Sequence, residues 1–450
     1  MRDRCEVLDW AASGAMALTG MPEGMPVASP APVLAMLARV STEFARVTAE
    51  TGQEVRADPA ELLAGRAALA GFTRGGRVSA GRSSYLLRSA DGWCAVTLSR
   101  PDDVAAVPAI AGALGVADAC RNAIATRADA CSALAAAALV TPAEDFAAAA
   151  QLVGVPAAAL PPVRPNGAGE AAPAEVAGWP PWRAVRIAEP LAGARLAGAV
   201  VADLSSMWAG PLCARLLGLA GAQVIKVESP ARPDGARSGN QEFFDWLHAG
   251  HRSLCVDFST TAGRAVLASL LEVADVVIES SRPRALAAMG LAPGTIPHPP
   301  GQVWLSITGY GRSLPERVAF GDDAAVAGGL VGWPGGEQAD PVFCADAVAD
   351  PLSGSCGALA VALSRSAGGG ELIDLSMRDV AAAFAAAAPD HGPHLVLPGG
   401  SVACPRSRRE QAVLAPRRPS PAADPANRGA ELGADTSSVL AWLAARRAAC

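Results

Sequence analysis

The 450-residue sequence predicts an α/β protein: a doubly wound, mostly parallel sheet with a smaller α+β domain. Three observations carry this. From 196 onward, short β-branched runs alternate with apolar residues spaced three and four apart, which is the pattern of βαβ units. Before that, SSYLLRSADGWCAVTLS alternates around Asp91-Gly92, a hairpin signal. Third, 51% hydrophobic and 18% charged residues describe a chain able to bury a core, and its length suits two or three domains.

In order, residues 1–50 are helical in pattern. Here DWAASGAMALTGMPEGMPV (9–27) resembles DDAAVAGGLVGWPGGEQADPV (322–342), sharing a small-residue helix, a Gly-x-Pro turn and a Pro-Val exit. Two unrelated Ala/Gly helices would look much the same. Residues 51–160 are read as the small α+β domain. A helix is expected at 59–71, with Asp58 as N-cap and Pro59 at its first position. The hairpin follows, then alanine-rich helical sequence. Residues 161–195 hold a Pro/Gly/Ala-rich stretch and read as a linker.

The unit at 196–228 is the plainest. An apolar run ends at Leu204, the loop Ser205–Gly210 follows, Pro211 opens a helix, Gly221 closes it, and Val224–Val227 is the next strand. Parallel strands joined this way need a sheet covered on both faces. In such sheets ligands sit beyond the carboxyl ends of the strands, so the loop 205–210 is an expected binding edge. Strands follow at 253–258, 276–278, 303–307 and 371–375, with Thr260 or Thr261 capping a helix at 262–273. Residues 391–450 are read as loop and a C-terminal helix.

Composition excludes some functions. A net charge of −6 gives no basis for a nucleic-acid surface. No apolar run approaches the ~20 residues of a membrane helix. Asp3, Glu6 and Asp9 stand where a signal peptide would have its apolar core. The ten cysteines form no C-x-x-C pair, and Pro393 between His391 and His394 argues for a loop, so no metal site and a reduced, cytoplasmic chain are expected. The first strand is followed by no G-x-G-x-x-G, which leaves NAD or FAD binding without support.

Five segments carry a more specific signal: DLSSMWAGPLCARLLGLAGAQVIKVESP, RSLCVDFSTTAGRAVLASLLEVADVVIESSRPRALAAMGL, VWLSITGYGR, AVADPLSGSCGALAVAL and LIDLSMRDVAAAF. In this order they resemble the class III CoA-transferase family, which includes formyl-CoA transferase, carnitine CoA-transferase and α-methylacyl-CoA racemase. The resemblance implies a Rossmann-like CoA-binding domain at 196–390 and places a small-domain-like half before it, so the halves stand in permuted order. Residues 1–50 then resemble a degenerate copy of the catalytic-loop region, with no carboxylate near Val33 where the copy would need one.

The resemblance implies a function as well. Asp350, before Pro351 and a small-residue helix, matches the family's nucleophilic aspartate; its spacing alone favours a plain N-cap, and the five ordered motifs reverse that. Asp346 is the nearby alternative. The implied activity is acyl-CoA:carboxylate CoA transfer through an aspartyl-CoA thioester, with coenzyme A thioester as substrate and no cofactor. Met207, Trp208, Ala209, Ser229, Ser280, Ser281, Arg282, Met289 and Tyr310 are the implied CoA contacts, with Arg284 a further phosphate partner. Ser280-Ser281 stand where the family has Asn-Phe. Asp322 stands where the racemase branch has histidine, which counts against an acyl-CoA racemase; a degenerate CoA-binding homologue is the remaining alternative. Expected partners are acyl-CoA, a carboxylic acid acceptor and a second copy in a homodimer, with neither nucleic acid nor membrane.

Overall fold

In the computed structural model, which describes residues 5–29, 31–116, 124–162, 179–336, 339–387, 394–420 and 428–449, two sheets organise the chain. The first is antiparallel: β1 (Ser84–Arg88), β2 (Trp93–Thr97) and β3 (Ala157–Ala159), with Arg88 opposite Trp93 across the Asp91-Gly92 turn. Helices Arg127–Leu139 and Ala143–Leu152 lie on it, and Leu134 and Phe146 share a core with Val96 and Leu98. Asp58 caps the helix Pro59–Ala70 as its sequence predicts, accepting from the Ala60 N–H at 2.9 Å. The expected linker falls largely on 163–178, outside the described residues, as does His391.

The larger sheet contains β4 (Arg183–Arg186), β5 (Val200–Asp203), β6 (Gln223–Glu228), β7 (Arg252–Cys255), β8 (Val276–Glu279) and β9 (Val303–Thr308). A short ribbon, β10 (Val331–Gly332) and β11 (Val342–Phe343), precedes its last strand, β12 (Glu371–Ser376). The spatial order is β4-β12-β9-β8-β5-β6-β7; all neighbours are parallel except β4, which runs antiparallel along β12.

Successive strand residues face opposite sides. Val201, Ile278 and Leu305 share one core with helices Val33–Thr51, Ala209–Leu219 and Ala349–Ser366. Val200, Val277 and Trp304 share the other with helices Thr261–Val273 and Thr436–Ala449. Helix Val33–Thr51 buries Leu37, Val40, Phe44 and Val47, a stripe at helical spacing, against helix Ala349–Ser366. The two similar segments also meet: a Cβ on Gly332 would stand 2.9 Å from Thr19 Cγ2, and just beyond, Thr19 Oγ1 accepts from the Ala345 N–H at 2.9 Å.

One feature departs from the sequence reading. Residues read as loop form a small antiparallel sheet of β13 (Leu395–Leu397), β14 (Ser401–Cys404) and β15 (Arg409–Ala412), which lies against helix Glu6–Ala12. Arg252 donates to Ser438 Oγ at 3.0 Å. The start of the last helix lies along β7. The Ser253 N–H donates to Asp435 Oδ2 at 2.9 Å and the Cys255 N–H to Thr436 Oγ1 at 3.1 Å.

Candidate active site

Asp350 lies in the first turn of helix Ala349–Ser366, where Pro351 has no N–H to leave unsatisfied. The segment leading in is strained: Ala345 and Ala347 have φ of +56° and +42°, the left-handed region that alanine avoids. Asp346 stands between them. Helix Gly321–Ala327 begins beside Asp350, and glycine is required there. A Cβ on Gly321 would stand 2.3 Å from Asp350 Oδ2 and 2.4 Å from the Ala347 carbonyl oxygen.

Four carboxylates converge. Asp346 is buried and takes a bidentate pair from Arg66, Nε to Oδ2 and Nη2 to Oδ1, both at 3.0 Å. Asp322 accepts from Ser84 Oγ at 2.9 Å and from the Ala347 N–H at 3.1 Å. Asp323 accepts from Thr97 Oγ1 at 2.9 Å and the Phe320 N–H at 3.0 Å, while its Oδ2 has no partner. Ser84 and Thr97 face each other across β1 and β2 and join at 2.9 Å. The first half of the chain thus folds back on the second half of the same chain, supplying Arg66, Ser84 and Thr97 around Asp350.

Crowding sets the charge state. Burial raises the Asp350 pKa to about 7; Arg66 opposes the rise, Asp322 and Asp346 add to it, and the Gly321 N–H opposes it again. Burial raises Asp346 to about 6 against the pull of Arg66, and Asp323 to about 8. Asp350 is half-buried while the other three are buried, so it is the member of the group with open surface. Arg66 itself lies over Trp208, 4.8 Å from the ring centroid.

The residues expected to touch CoA divide into two groups. Met207, 39% exposed with φ +74°, and half-buried Ser280, Ser281, Arg282 and Met289 lie in or after loops at the carboxyl ends of β5 and β8. The Ser206 N–H donates to Ser280 Oγ at 3.2 Å, joining the two loops. Arg282 and Arg100 both donate to the Gly154 carbonyl oxygen, at 3.3 and 3.2 Å. Burial and the like charges of Arg284, Arg100 and Arg232 lower the Arg282 pKa, as in a site that wants an anion. The second group is buried. Trp208, 1% exposed, stands edge-on to Phe243 at 5.5 Å, and Ala209 lies against Gly354. Ser229 is turned in, and Tyr310 gives its hydroxyl to the Ala157 carbonyl at 3.3 Å.

Beneath the loop 205–210 lies a buried network that the sequence reading missed. Lys226 pairs with Asp234 at 2.7 Å and Asp203 at 3.8 Å. Burial lowers the Lys226 pKa, but Asp203 and Asp234 more than reverse that, so the ammonium is retained. Asp234 Oδ1 accepts from the Met207 N–H at 3.0 Å, which fixes the strained residue of the loop. A lysine inside the β-branched run Val224–Val227 was the available signal.

A mostly parallel sheet with covered faces, joined loops at its strand ends and a half-buried carboxylate at a helix start define an α/β protein with a candidate site on its second half. Residues 196–419 match the family described as CoA-transferase family III. A succinate–glutarate CoA-transferase of Agrobacterium fabrum is 33% identical over 211 residues, 42% of this chain and 53% of that protein. A formyl-CoA:oxalate CoA-transferase of Escherichia coli is 30% identical over 198 residues, 41% of this chain and 48% of that protein. A solved CAIB/BAIF family protein from Brucella suis covers 43% of this chain and 55% of its own, at 29% identity and a TM-score of 0.38. The chain spans about half the length of the curated relatives it matches.

Proposed function

We propose that the protein is an acyl-CoA:carboxylate CoA-transferase with Asp350 as nucleophile. The observation that carries this is the placement of Asp350: half-buried at the start of a helix, within the segment that matches the CoA-transferase family. The Asp350 carboxylate attacks the donor thioester carbonyl, forming a mixed anhydride and releasing CoA thiolate. The thiolate attacks the aspartyl carbonyl, releasing the donor acid and leaving an aspartyl-CoA thioester. The acceptor carboxylate repeats the sequence in reverse, regenerating Asp350. Each step exchanges bonds of similar energy, which suits a weak nucleophile.

The strand order β7-β6-β5-β8-β9-β12 supports reading the sheet as doubly wound and Rossmann-like, with its switch point between β5 and β8. The CoA thioester then lies over the joined loops 205–210 and 280–283, its phosphates near Arg282. Asp322 spends both oxygens on Ser84 and Ala347, which argues for a positioning role rather than that of a racemase base. A homodimer carries over from the family resemblance and a cytoplasmic setting from the scattered cysteines; light scattering and cell fractionation check them.

The test is mass spectrometry of the intact chain after incubation with short acyl-CoAs and quenching with hydroxylamine or borohydride. The expected adduct maps to the peptide containing Asp350. CoA binding without any adduct on that peptide, across a broad set of donors, would sink the reading.

A further inference from the structure

Far from the carboxylates, three metal-binding side chains from separate parts of the chain meet. Cys5 stands at the start of helix Glu6–Ala12, His394 just before β13, and Cys404 at the end of β14. Their ligand atoms all lie within 4.8 Å of one another. Cys5 Sγ is 2.9 Å from His394 Nε2, although the residues are 389 positions apart. Both cysteines are buried and the imidazole is half-buried. The Ser407 N–H donates to Cys404 Sγ at 3.4 Å, a bond that favours the thiolate.

We infer that Cys5, His394 and Cys404 bind a thiophilic divalent metal ion, zinc by its chemistry, which fastens the first helix to the β14–β15 hairpin. Two sulfurs and an imidazole nitrogen are a donor set that selects zinc over magnesium or calcium. Around tetrahedral zinc such donors stand about 3.5–3.8 Å apart. The Cys5–His394 pair therefore opens by roughly half an ångström to admit the ion, and the other two separations, within 4.8 Å, need only small side-chain shifts to reach that range. Both thiols release their protons to solvent as the two sulfur–zinc bonds form, and nothing is oxidised or reduced. Among the described residues the group has three donors, so the fourth position goes to water or an added ligand.

The surroundings suit a structural ion. Helix Glu6–Ala12 already lies against β14 and β15, and the Leu414 N–H donates to the Ala11 carbonyl at 2.9 Å. A Cβ on Gly14 would stand 2.6 Å from Pro416 Cα, so the two segments have no slack between them. A metal bond there joins parts of the chain that no strand ladder connects.

The test uses the full chain, purified in reductant, stripped of metal and titrated with Co²⁺ and then Zn²⁺. The expected result is one Co²⁺ per chain with thiolate-to-cobalt absorption, displaced by Zn²⁺, and a melting temperature that rises with zinc. C5S and C404S lose the absorption. H394Q, changed at the half-buried position, keeps its circular dichroism and weakens cobalt binding by roughly tenfold or more. C131S, on helix Arg127–Leu139 over the β1–β3 sheet, keeps the wild-type titration. No thiolate–cobalt band in the reduced wild type would overturn the inference. So would undiminished binding in H394Q and both cysteine variants, or a Cys5–Cys404 disulfide in protein isolated without reductant.

Discussion

The helix start at Asp350 was legible because its signature is local: an Asp-Pro pair opening a helix of small residues. Arg66 was not. Its helix was readable, but nothing in Pro59–Ala70 says that one guanidinium reaches a carboxylate 280 positions later. Trp208 shows the opposite failure. An aromatic in a loop at a strand end reads as a ligand contact, yet burying so large a ring against Phe243 and Arg66 stabilises more than leaving it open. Two outcomes follow for single residues. D350N removes the nucleophile and lowers transfer by at least about a thousandfold. In the wild type the rate rises with pH through about 7, because only the ionised Asp350 attacks. A flat profile from pH 5.5 to 8.5, with chemistry limiting, would contradict this. R66A leaves Asp346 buried and without its pair, an expected loss of about 3–5 kcal/mol in denaturant unfolding. D346N in that background recovers part of the loss, since the neutral amide needs no counter-charge.

At the scale of elements, helices and strands with regular periods were readable, and the hairpin at Asp91-Gly92 was placed by its turn residues. The sheet at 395–412 was not. Gly399-Gly400 and Pro405 interrupt its alternation, and its exposed strand β15 reads Arg-Glu-Gln-Ala, with no apolar face to see. Helix contacts are equally silent in the sequence. Helix Ala349–Ser366 approaches helix Ala209–Leu219 so closely that a Cβ on Gly354 would lie 2.5 Å from the Ala209 carbonyl oxygen. G354V therefore destabilises by roughly 1–3 kcal/mol, measured by denaturant unfolding. G321A acts differently. Its methyl displaces Asp350 itself, so transfer falls by more than tenfold. Equal falls in G321A and in a distant G92A control would show that the glycine has no special tie to the site.

For the whole molecule, stability carries the signature of the carboxylate cluster. Asp323, near 8 in the folded chain, titrates near 3.9 when unfolded. Between those values the folded chain holds more protons than the unfolded one, so its stability is full below about pH 4 and falls as pH rises toward 8. Asp346 and Asp350 act in the same direction at about 6 and 7. In D323N the side-chain oxygen keeps the bonds from Thr97 and Phe320, so the decline in melting temperature from pH 5 to 8.5 becomes shallower. An unchanged slope would mean that Asp323 is already ionised at pH 5. The return of the first half onto the same chain's carboxylates was not visible in the sequence, since contact partners are not written in motif order. One last consequence belongs to one end of the sheet. At β7 the margin of the seven-stranded sheet meets its own chain, where the Asp435–Thr436 corner is bonded to the strand. A version lacking 428–449 loses Val439 and Leu443 from one core and bares two strand amides, a template on which a neighbouring molecule can dock and seed insoluble aggregates.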